Sequence, residues 1–394
     1  MEPRAVLWSG LAAACLAAMG GAWIASLPTA PAVAAAPTIA QDEDDANLAA
    51  LRLPKRRRPL ITIIGINNAT EATDYIMPYG ILRRADVADV VALAIQPGPV
   101  MLFPALKVEP QATVAKFDAQ HPEGADYVIV SAMSRDDDPA ALQWIKAQAA
   151  KGAMIIGVCA GAMVVGAAGL LTGKRATTHW YYRKELRNKH LESHYVADRR
   201  LVVDGGVATT TGITASMPMS LTLIEAIAGR AKAEAVARDL GMAEWDARHS
   251  SDSFKFIRPF ALTAIRNTLA FWKRERLGIE LQPGIDEVSL ALVADAWSRT
   301  HRSRAVTLAG AAGACQTRNG IGILPDQVAT SWPIQRLLPA IDGQQPAKAL
   351  DQALNGIAVR YGARTADFVA MQMEYQRQRP AAGSQSVYRK FCSK

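Results

Sequence analysis

What this chain lacks narrows its chemistry first. No zinc-type spacing of cysteine or histidine, no dinucleotide fingerprint and no P-loop occurs, so neither a catalytic metal nor an organic cofactor is expected. Cysteine is scarce, with four among 394 residues. Setting aside the N-terminal segment leaves Cys159, Cys315 and Cys392, an odd number. In an oxidising compartment Cys315 and Cys392 can pair, leaving Cys159 reduced. The net charge is +8, yet the basic groups Arg183-Lys184, Lys273-Arg274 and Arg302 to Arg304 are not interleaved with aromatics as nucleic-acid binders are. Ala235 to Met242 resembles the opening of a helix-turn-helix, but no recognition helix follows, and no nucleic-acid partner is expected.

Charge is also missing from Ala5 to Leu27, a run rich in Ala, Leu, Gly, Ile and Trp. Its length suits a secretory signal or a single membrane span, which predicts a protein that is exported, periplasmic, or membrane-anchored and facing outward. Residues 1–34 are read as that signal or anchor. Residues 35–58 read as a linker, Pro- and Ala-rich, acidic at Asp42 to Asp45 and basic at Lys55 to Arg58. The basic cluster can keep the chain solvated or touch anionic lipid. Half of the residues are apolar, enough to bury the cores of about two domains.

Against that background one segment stands out. Ala153 to Val158 is an apolar run that stops at Cys159-Ala160-Gly161-Ala162 and continues as a helix-like stretch from Met163 to Gly169. It reads as strand, sharp turn and helix, with a thiol at the apex of a nucleophile elbow. The N-terminus of the following helix would favour the thiolate. Arg175 to Thr178 reads as a short strand that returns His179 and Trp180 to the same sheet edge. Earlier, Ile61 to Ile66 is a continuous apolar strand leading into a helix that carries Asp74, Pro78 and Gly80.

At these residues the chain resembles the ThiJ/PfpI family of the class I glutamine amidotransferase-like superfamily, over roughly residues 59 to 235. Asp74 lies four residues before Pro78, as the family's acidic residue does, and Gly80 to Ala85 is similar to its helix end. Gly157 to Ala162 is similar to its elbow. Thr177-Thr178-His179-Trp180 resembles the subgroup of isonitrile hydratases and the sensor domains of AraC-type regulators, while Val207 to Ile213 resembles the domain end. The resemblance implies an α/β, flavodoxin-like parallel-sheet sandwich. Its implied catalytic residues are Cys159, Asp74 and His179, with Ala160, Gly161, Ser131, Ala132, Trp180 and Glu71 binding substrate or its oxyanion. Two departures stand out: Ser131-Ala132-Met133 replaces the family's Gly-Gly pair, and no aspartate follows Gly212, where Ala215-Ser216-Met217-Pro218 stands.

The C-terminal third echoes the first unit. Gly284 to Ala309 echoes Glu71 to Ala94, Asn319 to Pro325 echoes Pro104 to Pro110, and Leu354 to Arg360 parallels Ile224 to Arg230. No second elbow lies between Pro325 and Ala349. The expected organisation is a catalytic domain at 59–240, a connecting helical segment at 241–275 and a smaller α/β unit at 276–394 forming a degenerate partial repeat. Because family members usually dimerise, a homodimer or an intrachain pseudo-dimer is implied. A protonated Asp74 beside Cys159 would serve a hydratase or hydrolase reaction on a small electrophile such as an isonitrile, carbonyl or amide. The competing expectation is a ligand- or redox-sensing module without turnover, with a transcriptional regulator less favoured.

Overall fold

The computed structural model describes residues 18–30, 35–51, 54–329, 331–341 and 343–377. Cys392 and much of the apolar Ala5 to Leu27 run lie outside them. Among the described residues no helix is long and apolar enough to cross a membrane, so the structure offers no support for the expected anchor.

The run Leu60–Gly65 forms β1, an inner strand of a seven-stranded sheet. With β2 (Asp89–Ala94), β3 (Ala112–Thr113), β4 (Tyr127–Val130), β5 (Met154–Gly157), β6 (Leu201–Asp204) and β7 (Val207–Thr210), the order is β6-β7-β5-β4-β1-β2-β3. All pairings are parallel except β6 with β7. A parallel sheet is covered on both faces, which is why β1 is apolar throughout rather than alternating. Ile61 and Ile63 face one core, Leu60 and Ile64 the other. Helix α1 (Ala72–Ala85) covers the first face, and α2 (Gly161–Ala167) the second. On the α1 face lies α3 (Ser216–Ala228), followed by α4 (Arg230–Leu240).

The stretch expected as a linker is structured. Gln41–Leu51 is a helix whose last residue is buried, with the Leu51 carbonyl accepting from the Tyr127 hydroxyl at 2.6 Å. Arg199 grips Glu43 through two bonds of 2.7 and 2.8 Å. The basic cluster meets acids of the domain: Arg56 pairs with Asp126, and Arg58 with Asp86 and Asp89.

The second unit repeats half of the first. β8 (Glu275–Glu280), β9 (Ser303–Ala309) and β10 (Gln327–Val328) form a parallel sheet in the order β8-β9-β10, matching β1-β2-β3. Helix α5 (Glu287–Ser298) follows β8 as α1 follows β1, and α6 (Pro346–Tyr361) and α7 (Ala363–Gln372) correspond to α3 and α4. Through the first part of the repeat each counterpart is displaced by 215 positions, as with Val108 and Ile323. Those two residues are paired partners in the antiparallel joint between Lys107–Glu109 and Gly322–Ile323, so a pseudo-twofold axis passes between them. Arg84 binds Asp286, while its counterpart Arg299 binds Glu71, the counterpart of Asp286. Such reciprocity is the mark of a two-fold interface, here within one chain. The helix pairs align through Gly229 and Gly362, which join their helices at φ 86° and 93°. That register lies three residues from the one read in the sequence, because the shared feature is the backbone turn rather than the Ile-Ala and Arg letters around it.

One core runs through both units, with Leu277, Ile279 and Val288 in the same cluster as Ile61 and Tyr79. Between 241 and 275 a helix, Arg258–Leu269, makes the connection. Helices α1 and α5 pack closely at Gly80, where an added Cβ would lie 2.5 Å from Glu287 Oε1 and 2.8 Å from Val288 Cγ2. Gly80→Val is expected to destabilise the chain by about 1–3 kcal/mol through overpacking, read as a lower urea midpoint. An unchanged midpoint would show that this close approach does not hold the units together.

Candidate functional site

The elbow is held from all sides. Val158 donates to the Val130 carbonyl at 3.0 Å, and Cys159 then turns with φ 58°, a left-handed conformation unusual for a side-chain-bearing residue. The Cys159 N–H donates to Thr210 Oγ1 at 3.1 Å, and its carbonyl accepts from Thr178 Oγ1 at 3.0 Å. Gly161 opens α2 against β4 so closely that a Cβ would fall 2.1 Å from the Val130 oxygen. Its role is this packing, and its own N–H is spent on the Val158 carbonyl at 2.7 Å.

Cys159 is 4 % exposed at the base of a cavity of about 370 Å³, walled by Phe103, Met133, Met163, Tyr182, Glu71 and Arg299 among others. Asp74 lies behind it, fully buried. Asp74 Oδ2 accepts from the Ala132 N–H at 3.1 Å, while Oδ1 is buried without a hydrogen-bond partner. Glu71 caps α1, accepting from Asp74 N–H at 2.8 Å and Thr73 Oγ1 at 2.6 Å. Its other oxygen accepts from Arg299 Nη2 at 2.6 Å. Arg299 is in turn held by both oxygens of buried Asp295, at 2.9 and 2.8 Å.

This setting decides the protonation states. Burial, then the charge of Glu71, pushes the Asp74 carboxyl well above the ordinary carboxylate range, which favours its protonated form. Burial, then the nearby acidic groups of Asp74, Glu71 and Glu374, pushes the Cys159 thiol up as well, opposed by the Ala160 N–H. The thiolate expected from the helix terminus is therefore not the resting form: α2 has only seven residues, and desolvation outweighs its dipole.

The remaining expected residues divide. Ala160 keeps its place, with its N–H directed at the sulfur. The Ala132 amide is committed to Asp74 and the Ser131 amide to the Ile64 carbonyl, so neither stands free for an oxyanion. His179 lines the cavity, but both nitrogens are engaged: Nδ1 accepts from Tyr181 N–H at 3.2 Å, which leaves Nε2 as the donor to the Gln372 carbonyl at 2.8 Å. It is a neutral spacer whose pKa burial lowers, rather than a free base. Trp180 does not wall the cavity. Its Nε1–H donates to the Met371 carbonyl at 2.9 Å and its ring packs against Phe256 and Phe260.

Residues 61–226 match the model of the DJ-1/PfpI family. Residues 61–226 form a DJ-1/PfpI domain. The chain is 43% identical to the isonitrile hydratase of Pseudomonas putida over 104 residues, 26% of this chain but only 44% of that enzyme. It is 24% identical to the Parkinson disease protein 7 homolog of Danio rerio over 171 residues, 42% of this chain and 89% of the relative. The crystal structure of Drosophila melanogaster DJ-1beta superposes with a TM-score of 0.42 at 21% identity, covering 48% of this chain and all of that one. The DJ-1/PfpI domain thus accounts for the flavodoxin-like half of the chain, and the C-terminal unit lies outside the match.

That outside unit supplies what the sequence reading missed. Arg299, Gln372 and Glu374 all reach the site region from it. Glu374 accepts from the Gly212 N–H at 2.9 Å and from the Trp180 N–H, so a carboxylate does stand beside Gly212 although none follows it in sequence. Arg299 had a readable signal, as the repeat counterpart of Arg84; Glu374 had none.

An acid whose folded pKa is raised stabilises the fold fully below its unfolded pKa of about 3.9, and that contribution is lost as pH rises through the folded value. Asp74→Asn is therefore expected to raise Tm at pH 8 more than at pH 5. Where Asp74 has ionised, the same substitution removes a negative charge that opposes the thiolate, so the pH midpoint for Cys159 alkylation by iodoacetamide should move down. A midpoint that rises instead would show that Asp74 donates to a thiolate in the resting state.

Proposed function

We propose that this protein is a cysteine-dependent hydratase- or hydrolase-type enzyme acting on a small electrophile, an isonitrile, carbonyl or amide, through Cys159 and Asp74. The observation that carries this reading is the buried, unpartnered Oδ1 of Asp74, whose carboxyl is pushed above its ordinary range, near a strained thiol that lines a cavity. A carboxyl group with an idle oxygen can give one proton and take another within the same event. For an isonitrile, the sulfur bonds to the terminal carbon, Asp74 delivers a proton to that carbon, and the thiol proton passes to Asp74. Water then adds to the resulting thioimidate carbon and the thiol leaves with a proton. The net change is addition of one water, giving a formamide. The Ala160 N–H faces the reacting centre and is the available donor for developing negative charge.

Redox sensing is the second reading, favoured by the same idle oxygen, which could bind an oxidised sulfur. The elevated thiol weighs against it, because oxidation by peroxide proceeds through the thiolate. The reciprocal ion pairs and shared core further support an intrachain pseudo-dimer, in which the second unit takes the place of a second subunit.

Incubation with a panel of small isonitriles, aldehydes and primary amides, followed by mass spectrometry, tests the enzymatic reading. Turnover should fall by roughly a thousandfold or more in Cys159→Ala and by at least about a hundredfold in Asp74→Ala. Turnover unchanged in Cys159→Ala would overturn the proposal. Stoichiometric oxidation of Cys159 by peroxide, with no panel compound consumed, would transfer the assignment to the sensor.

A further inference from the structure

A second cavity adjoins the first. It encloses about 670 Å³ and shares Ala69, Phe103 and Arg299 with the thiol cavity, so the two meet at the Arg299 side chain. Its far wall comes from the C-terminal unit and carries Arg274, Arg276 and Arg304. Arg276 and Arg304 are direct partners in the β8–β9 pairing, and Arg274 precedes Arg276 by two residues on the same side. Like charges directly opposite one another cost stability.

Among the described residues no carboxylate offsets that cost. Glu275 is the acid on this wall, and its carboxylate is already taken by Arg360, at 2.7 and 2.9 Å, and by the Tyr361 hydroxyl. Arg276 has a neutral partner, the Gln327 amide oxygen, at 2.8 Å from Nη2. Among the described residues Arg274, Arg276 and Arg304 form no ion pair, and all three are exposed. Arg299 is different, since Glu71 and Asp295 neutralise it. His301, bonded to Thr268 Oγ1 at 2.8 Å, lines the same cleft, and the charges of Arg274 and Arg299 add to burial in holding it neutral.

We propose that this cleft binds the anionic group, a carboxylate or phosphate, of a small substrate whose electrophilic end reaches Cys159. The inference rests on the cysteine-dependent reading above. Three unpaired guanidiniums facing one space supply planar, multidentate anion recognition. The volume is that of a small-molecule site. Phe103, beneath the Arg299 guanidinium at 5.7 Å, stands between the two cavities and would contact the body of the substrate.

Iodoacetate and iodoacetamide, one anionic and one neutral, make the test with the full-length chain at low ionic strength. The ratio of their Cys159 alkylation rates should fall roughly tenfold in the double variant Arg276→Gln/Arg304→Gln, with the iodoacetamide rate unchanged. Arg276→Lys/Arg304→Lys should restore much of it. Calorimetric titration with pyrophosphate should show binding to the parent and none to the glutamine variant. An equal ratio in both proteins together with no pyrophosphate binding overturns the cleft while leaving the thiol chemistry intact. A Cys159 inert to both reagents, with pyrophosphate binding only to the parent, upholds the cleft and overturns the cysteine-dependent reading.

Discussion

The ion pair between Glu71 and Arg299 is the contact on which the site and the fold both depend. It joins the cap of α1 in the DJ-1/PfpI domain to the end of α5 in the C-terminal unit. Both groups are largely buried, and Asp295 and Thr73 complete their hydrogen bonding. Removing one member of such a pair leaves the other charge stranded, at a cost of about 3–5 kcal/mol. The same guanidinium walls the thiol cavity, so stability and access to Cys159 are decided by one side chain.

The electrostatics around that pair explain a resting site that holds its protons. Burial, then the nearby charge of Glu71, pushes the Asp74 carboxyl well above its ordinary range. Burial, then the acidic groups around the sulfur, holds the thiol above its ordinary range. The backbone at Cys159 is strained as well, its positive φ clamped by Thr178, Thr210 and the close approach of Gly161 to β4.

The pseudo-twofold arrangement gives the second unit a structural part that needs no elbow. Its counterparts of β1 to β3, α1, α3 and α4 are the parts that build the joint, and they persist. What it contributes to the first unit is specific: Arg299 to Glu71, the Gln372 carbonyl to His179, and Glu374 to the Gly212 and Trp180 amides.

Much of this was legible in the chain itself. The apolar strands β1 and β5, the Cys159 elbow, the Asp74 to Pro78 spacing and the echo of Glu71 to Ala94 in the C-terminal third are local patterns, set by backbone propensity and the covering of a parallel sheet on both faces. Tertiary structure alone decided the chemistry of the groups those patterns place. The amides of Ser131 and Ala132 were consumed by neighbours, His179 was fixed as a neutral donor, Trp180 was turned away from the cavity, and the acidic stretch near Asp42 folded as a helix. Each outcome hangs on a partner tens to hundreds of residues away, such as Gln372 for His179 or Arg199 for Glu43. Burial and charge depend on what a fold brings together, so residue identity and spacing determined where the thiol and carboxyl stand, and the packing of both units around them determined how firmly each holds its proton.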